Sequence, residues 1–127
     1  MTEFATVESY RDLEIWKAGM DLAVASYDAT RSFPRDEIFG LTSQIRRSAS
    51  SIPANIAEGY GRENTGSYIQ SLRIAQGSLK EFETHIILAE RVNLIAPQQA
   101  APLIGAGDRL GKMIRSLIRT LQRKLQK

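Results

Sequence analysis

The sequence feature that most constrains the fold is a regular spacing of apolar residues between Tyr68 and Ala89. Successive members are alternately four and three residues apart, so all of them fall on one side of an α-helix. Such a repeat is typical of helices that pack along their length with a slight supercoil. Because one amphipathic helix is not stable alone, the rest of the chain must supply its partners. The repeat consists of Tyr68, Leu72, Ala75, Leu79, Phe82, Ile86 and Ala89.

A first partner helix is predicted over residues 10–32. Ser9 is a suitable N-cap, and Asp12 completes the pattern of a capping box. The apolar spacing indicates that Trp16 and Tyr27 belong to the core. The predicted inward stripe of this helix is Leu13, Trp16, Met20, Ala23 and Tyr27.

A second partner helix is predicted over residues 37–59. Pro53 inside it removes a backbone hydrogen bond, so we expect a kink near residues 49–53. Gly59 is the expected C-terminal stop. The predicted apolar face of this helix is Leu41, Ile45, Ala49, Ile52 and Ile56.

The repeat itself lies on a third helix predicted over residues 65–93, and a fourth is predicted over residues 98–125. Glycines weaken the first half of the fourth helix by up to about 1 kcal/mol each, or allow a neighbour to approach closely. Residues 1–9 have no sustained period and are expected to be a loose tail. The prediction for residues 10–127 is an all-α, antiparallel up-down-up-down four-helix bundle with a kinked second helix. Its fourth helix should bury Leu103, Leu110, Ile114, Leu117, Leu121 and Leu125.

Length and composition exclude several classes of protein. A chain of 127 residues fits one domain with a single core. The absence of cysteine excludes disulfides and thiolate metal sites, and nothing requires an oxidising compartment. No apolar run approaches the roughly 20 residues that span a bilayer, and the first residues are acidic where a signal peptide is basic. We therefore expect a cytoplasmic protein without membrane association.

Nothing in the sequence indicates catalysis or a cofactor. His85 is the single histidine, and Phe82 precedes it where the metal-binding motif of a helical bundle has glutamate. The serines therefore have only this one histidine as a base. The Gly59-Tyr60-Gly61 segment lacks the preceding strand and the lysine of a phosphate-binding loop. No catalytic residue, metal ligand or cofactor is predicted, and the chain is not expected to be an enzyme.

Positive charge is concentrated near the C-terminus. Residues 105–127 hold seven basic residues and one acid, Asp108, whereas the rest of the chain has ten basic and thirteen acidic residues. A spacing of four residues puts three arginines on one ridge of the fourth helix. Such a ridge suits a phosphate backbone; the alternative is a solvated face whose cations stabilise the helix dipole. The candidate nucleic-acid-binding residues here are Lys112, Arg115, Arg119, Arg123 and Lys124.

Arg46, Arg47 and Arg62 form a second basic group, for which two interpretations stay open. They contact nucleic acid, or they pair with acidic residues of neighbouring helices or subunits. Asn55 and Glu58 lie between them and are predicted to be structural polar residues. Asn55, at the edge of the apolar face, is expected to fix helix register. The acidic partners that fit the second interpretation are Glu58, Glu81, Glu83 and Glu90.

Three blocks of the sequence resemble the small bacterial proteins of the 23S rRNA intervening-sequence protein family, also called the S23 ribosomal protein family. The resemblance implies a four-helix bundle that assembles as a homopentamer. It also implies similarity to accessory proteins of reverse transcriptases in diversity-generating retroelements, and nucleic-acid binding through basic surface. The blocks, which cover roughly residues 10–95, are YRDLEIWKAGMDLA, FPRDEIFGLTSQIRRSASSIPANIAEGYGR and SYIQSLRIAQGSLKEFETHIILAERVNLI.

Two hypotheses about function follow from charge and resemblance together. The first is a non-catalytic homo-oligomer that binds RNA, DNA or a nucleoprotein through its basic surface. The second is a protein-interaction scaffold whose basic helix docks an acidic protein, with no affinity for nucleic acid. A reverse transcriptase is a possible protein partner by resemblance.

Overall fold

Four α-helices make up most of the chain in the computed structural model, which describes residues 7–126. No β-strand occurs within those residues, so the predicted all-α class is confirmed. The predicted tail at residues 1–9 falls mostly outside the described residues. In chain order, the helices are α1 (Glu14–Thr30), α2 (Leu41–Gly61), α3 (Thr65–Arg91) and α4 (Pro97–Leu125).

Each helix packs against its neighbours in the chain, and α4 also packs against α1. On α1 and α2, Thr30 receives a hydrogen bond from Arg46, whereas Gly19 lies against Pro53. Rising numbers on one helix therefore meet falling numbers on the next, so these two helices are antiparallel. The contacts of α2 with α3, and of α3 with α4, show the same pairing. The molecule is a four-helix bundle, as predicted.

The core forms where the predicted faces of α2 and α3 meet. Every member of the α3 repeat except Tyr68 is buried, and so is the α2 face from Ile45 to Ile56. Full burial of a large apolar side chain contributes about 1.5–3 kcal/mol. The α2–α3 interface is therefore a main source of stability, and its largest wholly buried apolar side chains are Ile45, Ile52, Ile56, Leu72, Leu79, Phe82 and Ile86.

The inward side of α1 differs from the predicted stripe. Met20 and Tyr27 are 38% and 43% exposed, and Trp16 is only half-buried. Small and polar residues face the core instead. Two of them, Ser26 and Thr30, can be buried because their hydroxyls donate hydrogen bonds to carbonyl oxygens of α1 itself, at 2.7 and 2.8 Å. Burying a hydroxyl costs little once it is hydrogen-bonded within its own helix. The buried residues of α1 are Ile15, Gly19, Leu22, Ala23, Ser26 and Thr30.

Two helices begin later than predicted. The capping box of Ser9 and Asp12 closes a short 3-10 turn, and α1 begins beyond it at Glu14. A second 3-10 turn precedes α2, which begins at Leu41. The Leu41 N–H donates to the Glu37 carboxylate at 3.1 Å, so an acid just before the helix satisfies one of its first free donors.

The end of α2 is also corrected by the structure. α2 ends at Gly61, and Gly59 is buried inside it, where a Cβ atom would lie 2.6 Å from the Cβ atom of Ser71 on α3. Gly59 therefore permits close packing and is not a stop. The chain turns instead at Glu63, whose φ of 55° lies in the left-handed region. α2 runs without interruption through Pro53, and the kink stays a prediction.

The boundaries of α3 and α4 lie within two residues of the predicted ones. On α4, Leu125 is 58% exposed and Leu117 is half-buried, whereas Ile118 is buried. The inward side of α4 therefore ends at Leu121, one turn earlier than predicted. Of the helices described here, none is long and apolar enough to cross a membrane.

Candidate nucleic-acid interface

The outer side of α4 carries basic side chains that no carboxylate of residues 7–126 engages. All five are exposed, and the ion pairs of this part of the chain involve other residues. Burial of Leu110, Ile114 and Leu121 fixes the rotation of α4, which turns these cations to solvent. We call this surface the α4 ridge; its members are Lys112, Arg115, Arg119, Arg123 and Lys124.

The α2 arginines, which are Arg46, Arg47 and Arg62, have partners within the bundle. The Arg46 guanidinium lies 4.5 Å from the centre of the Tyr27 ring, and its Nε donates to the Thr30 hydroxyl at 2.8 Å. Both partners belong to α1, so Arg46 ties α1 to α2. A cation over an aromatic ring contributes about 0.5–1 kcal/mol at exposed sites. Arg46 thus connects α1 and α2 through contacts that do not include a carboxylate.

The other two α2 arginines meet acidic residues. Arg47 pairs with Glu81 of α3, and Arg62 lies 3.7 Å from Glu58, one turn earlier in α2. These contacts follow the pairing interpretation of the sequence. All four side chains are more than one third exposed, and exposed pairs typically contribute only about 0–1 kcal/mol. A phosphate could therefore replace either carboxylate at little cost.

Asn55 belongs to a polar seam between α2 and α3. Its Nδ2 donates to the Ser51 carbonyl oxygen at 2.8 Å and to the Ser51 hydroxyl at 3.0 Å. That hydroxyl lies 2.8 Å from the hydroxyl of Ser78 on α3. A satisfied polar network between two helices can fix their register; that role of Asn55 stays a prediction. Glu58 is exposed and pairs with Arg62.

A cleft of about 460 Å³ lies between α3 and α4, beside the α4 ridge. A Cβ atom on Gly107 would lie 3.1 Å from Glu83 Oε2, and one on Gly111 would lie 3.2 Å from Leu79 Cδ2. These two glycines therefore let α4 approach α3 closely. Sequence reasoning missed the cleft, although the glycines of α4 were its signal. Its charged lining residues are Lys80, Asp108, Lys112 and Arg115, and Gly77 of α3 also lines it.

An apolar groove of about 570 Å³ crosses the outer side of α1 and α2. It contains aromatic residues that the sequence placed in the core, and Val24 within it is 58% exposed. Apolar surface that stays contiguous and exposed marks a binding surface more often than scattered apolar residues do. We call it the α1–α2 groove; it is lined by Tyr10, Trp16, Met20, Val24, Tyr27 and Ala54.

Some titratable side chains of α3 have a buried polar atom without a hydrogen-bond partner among residues 7–126. Within residues 7–126, no group of three histidine, aspartate or glutamate side chains could hold a metal ion. The half-buried His85 has an Nδ1 atom without a hydrogen-bond partner in the described chain. Burial, with a smaller contribution from Tyr60, raises the pKa of Tyr68 to about 12. A phenol held in its neutral form is a poor nucleophile and a poor base.

Comparison with known proteins finds the same helical arrangement elsewhere. Residues 11–116 match the family model described as 23S rRNA-intervening sequence protein. Comparison with curated proteins gives no match. Among solved structures, the chain is similar to a crystal structure of a protein of unknown function from the S23 ribosomal protein family of Bacteroides thetaiotaomicron. The two chains have 25% sequence identity and a TM-score of 0.74, over 82% of this chain and 97% of that one.

Proposed function

Because the chain belongs to the 23S rRNA-intervening sequence protein family, we propose that it is a non-catalytic, homo-oligomeric bundle that binds nucleic acid through the α4 ridge. The proposal rests on one observation: the five cations of the α4 ridge are exposed and have no carboxylate partner among residues 7–126. Phosphates that such side chains neutralise release counterions, which drives binding without reading sequence. The proposal therefore concerns general affinity for a polyanion.

The spacing of the ridge also supports this function. Arg115, Arg119 and Arg123 are each one helical turn apart, which is a rise of about 6 Å per step. Adjacent arginines can therefore contact different phosphates of one strand. Arginine suits this task because its planar guanidinium can donate two parallel hydrogen bonds to a phosphate.

Assembly would multiply the positive surface. The α1–α2 groove is the surface that we propose a second copy covers, because subunit contacts bury exposed apolar area. Five copies, the number that the family resemblance implies, would present five ridges to one polyanion. Analytical ultracentrifugation should give a multiple of the 14.2 kDa chain mass, and a particle of 14.2 kDa would contradict assembly. A chain without cysteine suits the reducing cytoplasm, where we propose that it acts.

Salt dependence is the test of nucleic-acid binding. Anisotropy of a labelled short RNA should report an affinity that falls linearly with salt concentration on logarithmic axes. The slope should be about −0.7 for each phosphate that is contacted in a single strand. Affinity that does not change with salt, or no binding at low salt, would overturn the proposal.

The alternative is a scaffold that docks a protein, such as a reverse transcriptase, without binding nucleic acid. The α1–α2 groove favours it, since aromatic apolar surface is enriched at protein interfaces. Affinity purification of the tagged chain with and without nuclease separates the two functions. A partner protein that stays bound after digestion supports the scaffold, and a partner that is released supports nucleic-acid binding.

A further inference from the structure

The α3–α4 cleft shares two cations with the α4 ridge. Lys112, Arg115 and the acidic Asp108 line it from α4, and Lys80 lines it from α3. Its volume of about 460 Å³ lies within the range of about 300–1,000 Å³ that is typical of small-molecule sites. A ridge holds a phosphate backbone only from outside, whereas this cleft can admit part of the strand itself.

Glycines line both walls of the cleft. A Cβ atom added to Gly77 of α3 would have no atom of a neighbouring element within 4 Å. Opposite it, Gly107 and Gly111 of α4 leave Leu79 as an apolar floor. Glycine destabilises a helix interior relative to alanine. Close packing explains Gly107 and Gly111, but Gly77 borders open space and has no packing role.

Glu83 lies under the α4 wall of this cleft, next to Gly107, and is not one of its lining residues. It is 9% exposed; its Oε1 receives a hydrogen bond from Lys80 Nζ at 3.2 Å, and its Oε2 has no partner within the described residues. Oε2 faces Gly107, 3.1 Å from the place of a Cβ atom. The Lys80 side chain is 69% exposed, so it can turn toward an incoming phosphate. The cleft thus presents cations to a phosphate, whereas the carboxylate of Glu83 stays buried beneath it.

We infer that the α3–α4 cleft is a subsite for one unpaired nucleotide of a single-stranded nucleic acid. Lys112 and Arg115 hold the phosphate, and Leu79 and the glycine backbone contact the sugar or base. The inference rests on the proposed function and narrows it to unpaired strands. A base in a duplex must leave its stack before it can enter such a cleft, which disfavours binding of a duplex.

Filling the cleft at Gly77 tests this inference. Gly77→Leu places an apolar side chain in the open space without removing a charge, and leucine is the better helix former. Gly66→Leu is the matched control, because it makes the same change at an exposed position of α3 away from the cleft. Anisotropy titrations at low salt would compare a labelled single-stranded RNA with a labelled duplex of the same length.

We expect the wild-type chain to bind the single strand about tenfold more tightly than the duplex, and Gly77→Leu to lose about tenfold of that affinity. Gly66→Leu should stay within about twofold of the wild type. Inorganic phosphate, at the phosphate concentration of the RNA, should not displace the strand, because it lacks the sugar and base. Where Gly77→Leu lowers the Tm, Gly77→Ala provides the same comparison with a smaller added group.

Equal affinity of Gly77→Leu and the wild type for the single strand would overturn the inference. So would equal wild-type affinity for the single strand and the duplex, or displacement of the strand by inorganic phosphate. These results would leave binding through the α4 ridge in place. If the wild-type chain binds neither RNA at low salt, the proposed function and the subsite are both wrong.

Discussion

The α2 arginines and the arginines of the α4 ridge are chemically identical but have different surroundings. Across from Arg47, α3 presents Glu81, and the two form an ion pair. Across from Arg115, the same helix presents Gly77 and Lys80, neither of which can neutralise it. The charge of a helix therefore does not determine whether that charge is available to a partner; the facing residue of the next helix does. Glu81 of α3 pairs with Arg47 of α2, whereas no carboxylate of residues 7–126 pairs with the α4 ridge.

Removal of charge from each group tests this contrast and should have the largest effect. Replacing Arg115, Arg119 and Arg123 with glutamine should lower RNA affinity at low salt by about 100-fold, and should reduce the salt slope by about 2. The Tm should hardly change, because these side chains have no ion-pair partner to lose in the described structure. Anisotropy over a salt series and thermal unfolding would measure the two effects.

The matched control replaces the three α2 arginines with glutamine, which removes the same charge. We expect a smaller loss of RNA affinity and a lower Tm, since Arg46 and Arg47 have structural partners. An equal loss of affinity in both triple variants would show that the two groups bind alike, and the contrast would then fail.

The glycines differ between the same two regions, and this difference has the next largest expected effect. Gly59→Ala would place a Cβ atom 2.6 Å from the Ser71 Cβ atom, so it should lower the free energy of unfolding by about 1–3 kcal/mol. Gly77 borders open space, so Gly77→Ala should raise the free energy of unfolding by up to about 1 kcal/mol. Urea unfolding of both variants measures this. A Gly59→Ala midpoint equal to that of the wild type would show that α2 and α3 can separate without cost.

Sequence reasoning located the helices more reliably than the sides that they bury. The α3 repeat was identified correctly because its members are large, apolar and evenly spaced. The inward side of α1 was not, because it includes Gly19, Ser26 and Thr30, whose burial depends on particular contacts. Gly19 faces the Pro53 ring, with a Cβ atom's place 3.3 Å from Pro53 Cβ, and both hydroxyls bond to their own helix. A hydrophobicity pattern contains no information about such contacts.

The candidate interface was predictable in part, because large apolar residues determine which side of α4 is buried. Once Ile114 and Leu121 face the core, the spacing of α4 turns the ridge arginines to solvent. The cleft was not predictable, because it depends on the register that brings Gly77 of α3 opposite Gly111 of α4. Neither glycine indicates a cavity by itself, and only the packed structure shows that they border one.

Variants of Arg46 distinguish the contribution of its charge to stability from that of its contacts. We expect a moderate effect on the free energy of unfolding. Arg46→Gln should lower the free energy of unfolding by about 1–2 kcal/mol, because it removes the contact with the Tyr27 ring and a hydrogen bond to Thr30. Arg46→Lys keeps the charge but loses the planar guanidinium, so it should recover only part of the loss. Urea unfolding measures both variants; full stability of Arg46→Lys would show that charge alone acts there.

Tyr68 lies where the two regions meet, in a cavity of about 380 Å³ that Gly59 and Lys124 also line, and it should show the smallest effect. Its hydroxyl is buried without a hydrogen-bond partner in the described chain, so Tyr68→Phe should change stability at neutral pH by less than about 0.5 kcal/mol.

Burial raises the folded-state pKa of Tyr68 to about 12 from the ordinary 10.0. The unfolded chain therefore loses this proton first, and stability present below pH 10 is lost as the pH rises toward 12. Urea midpoints should fall less steeply over that range for Tyr68→Phe than for the wild type. Identical alkaline losses would mean that the phenol is not desolvated by the fold, whereas unchanged RNA affinity of the variant would keep this end of α3 outside the nucleic-acid interface.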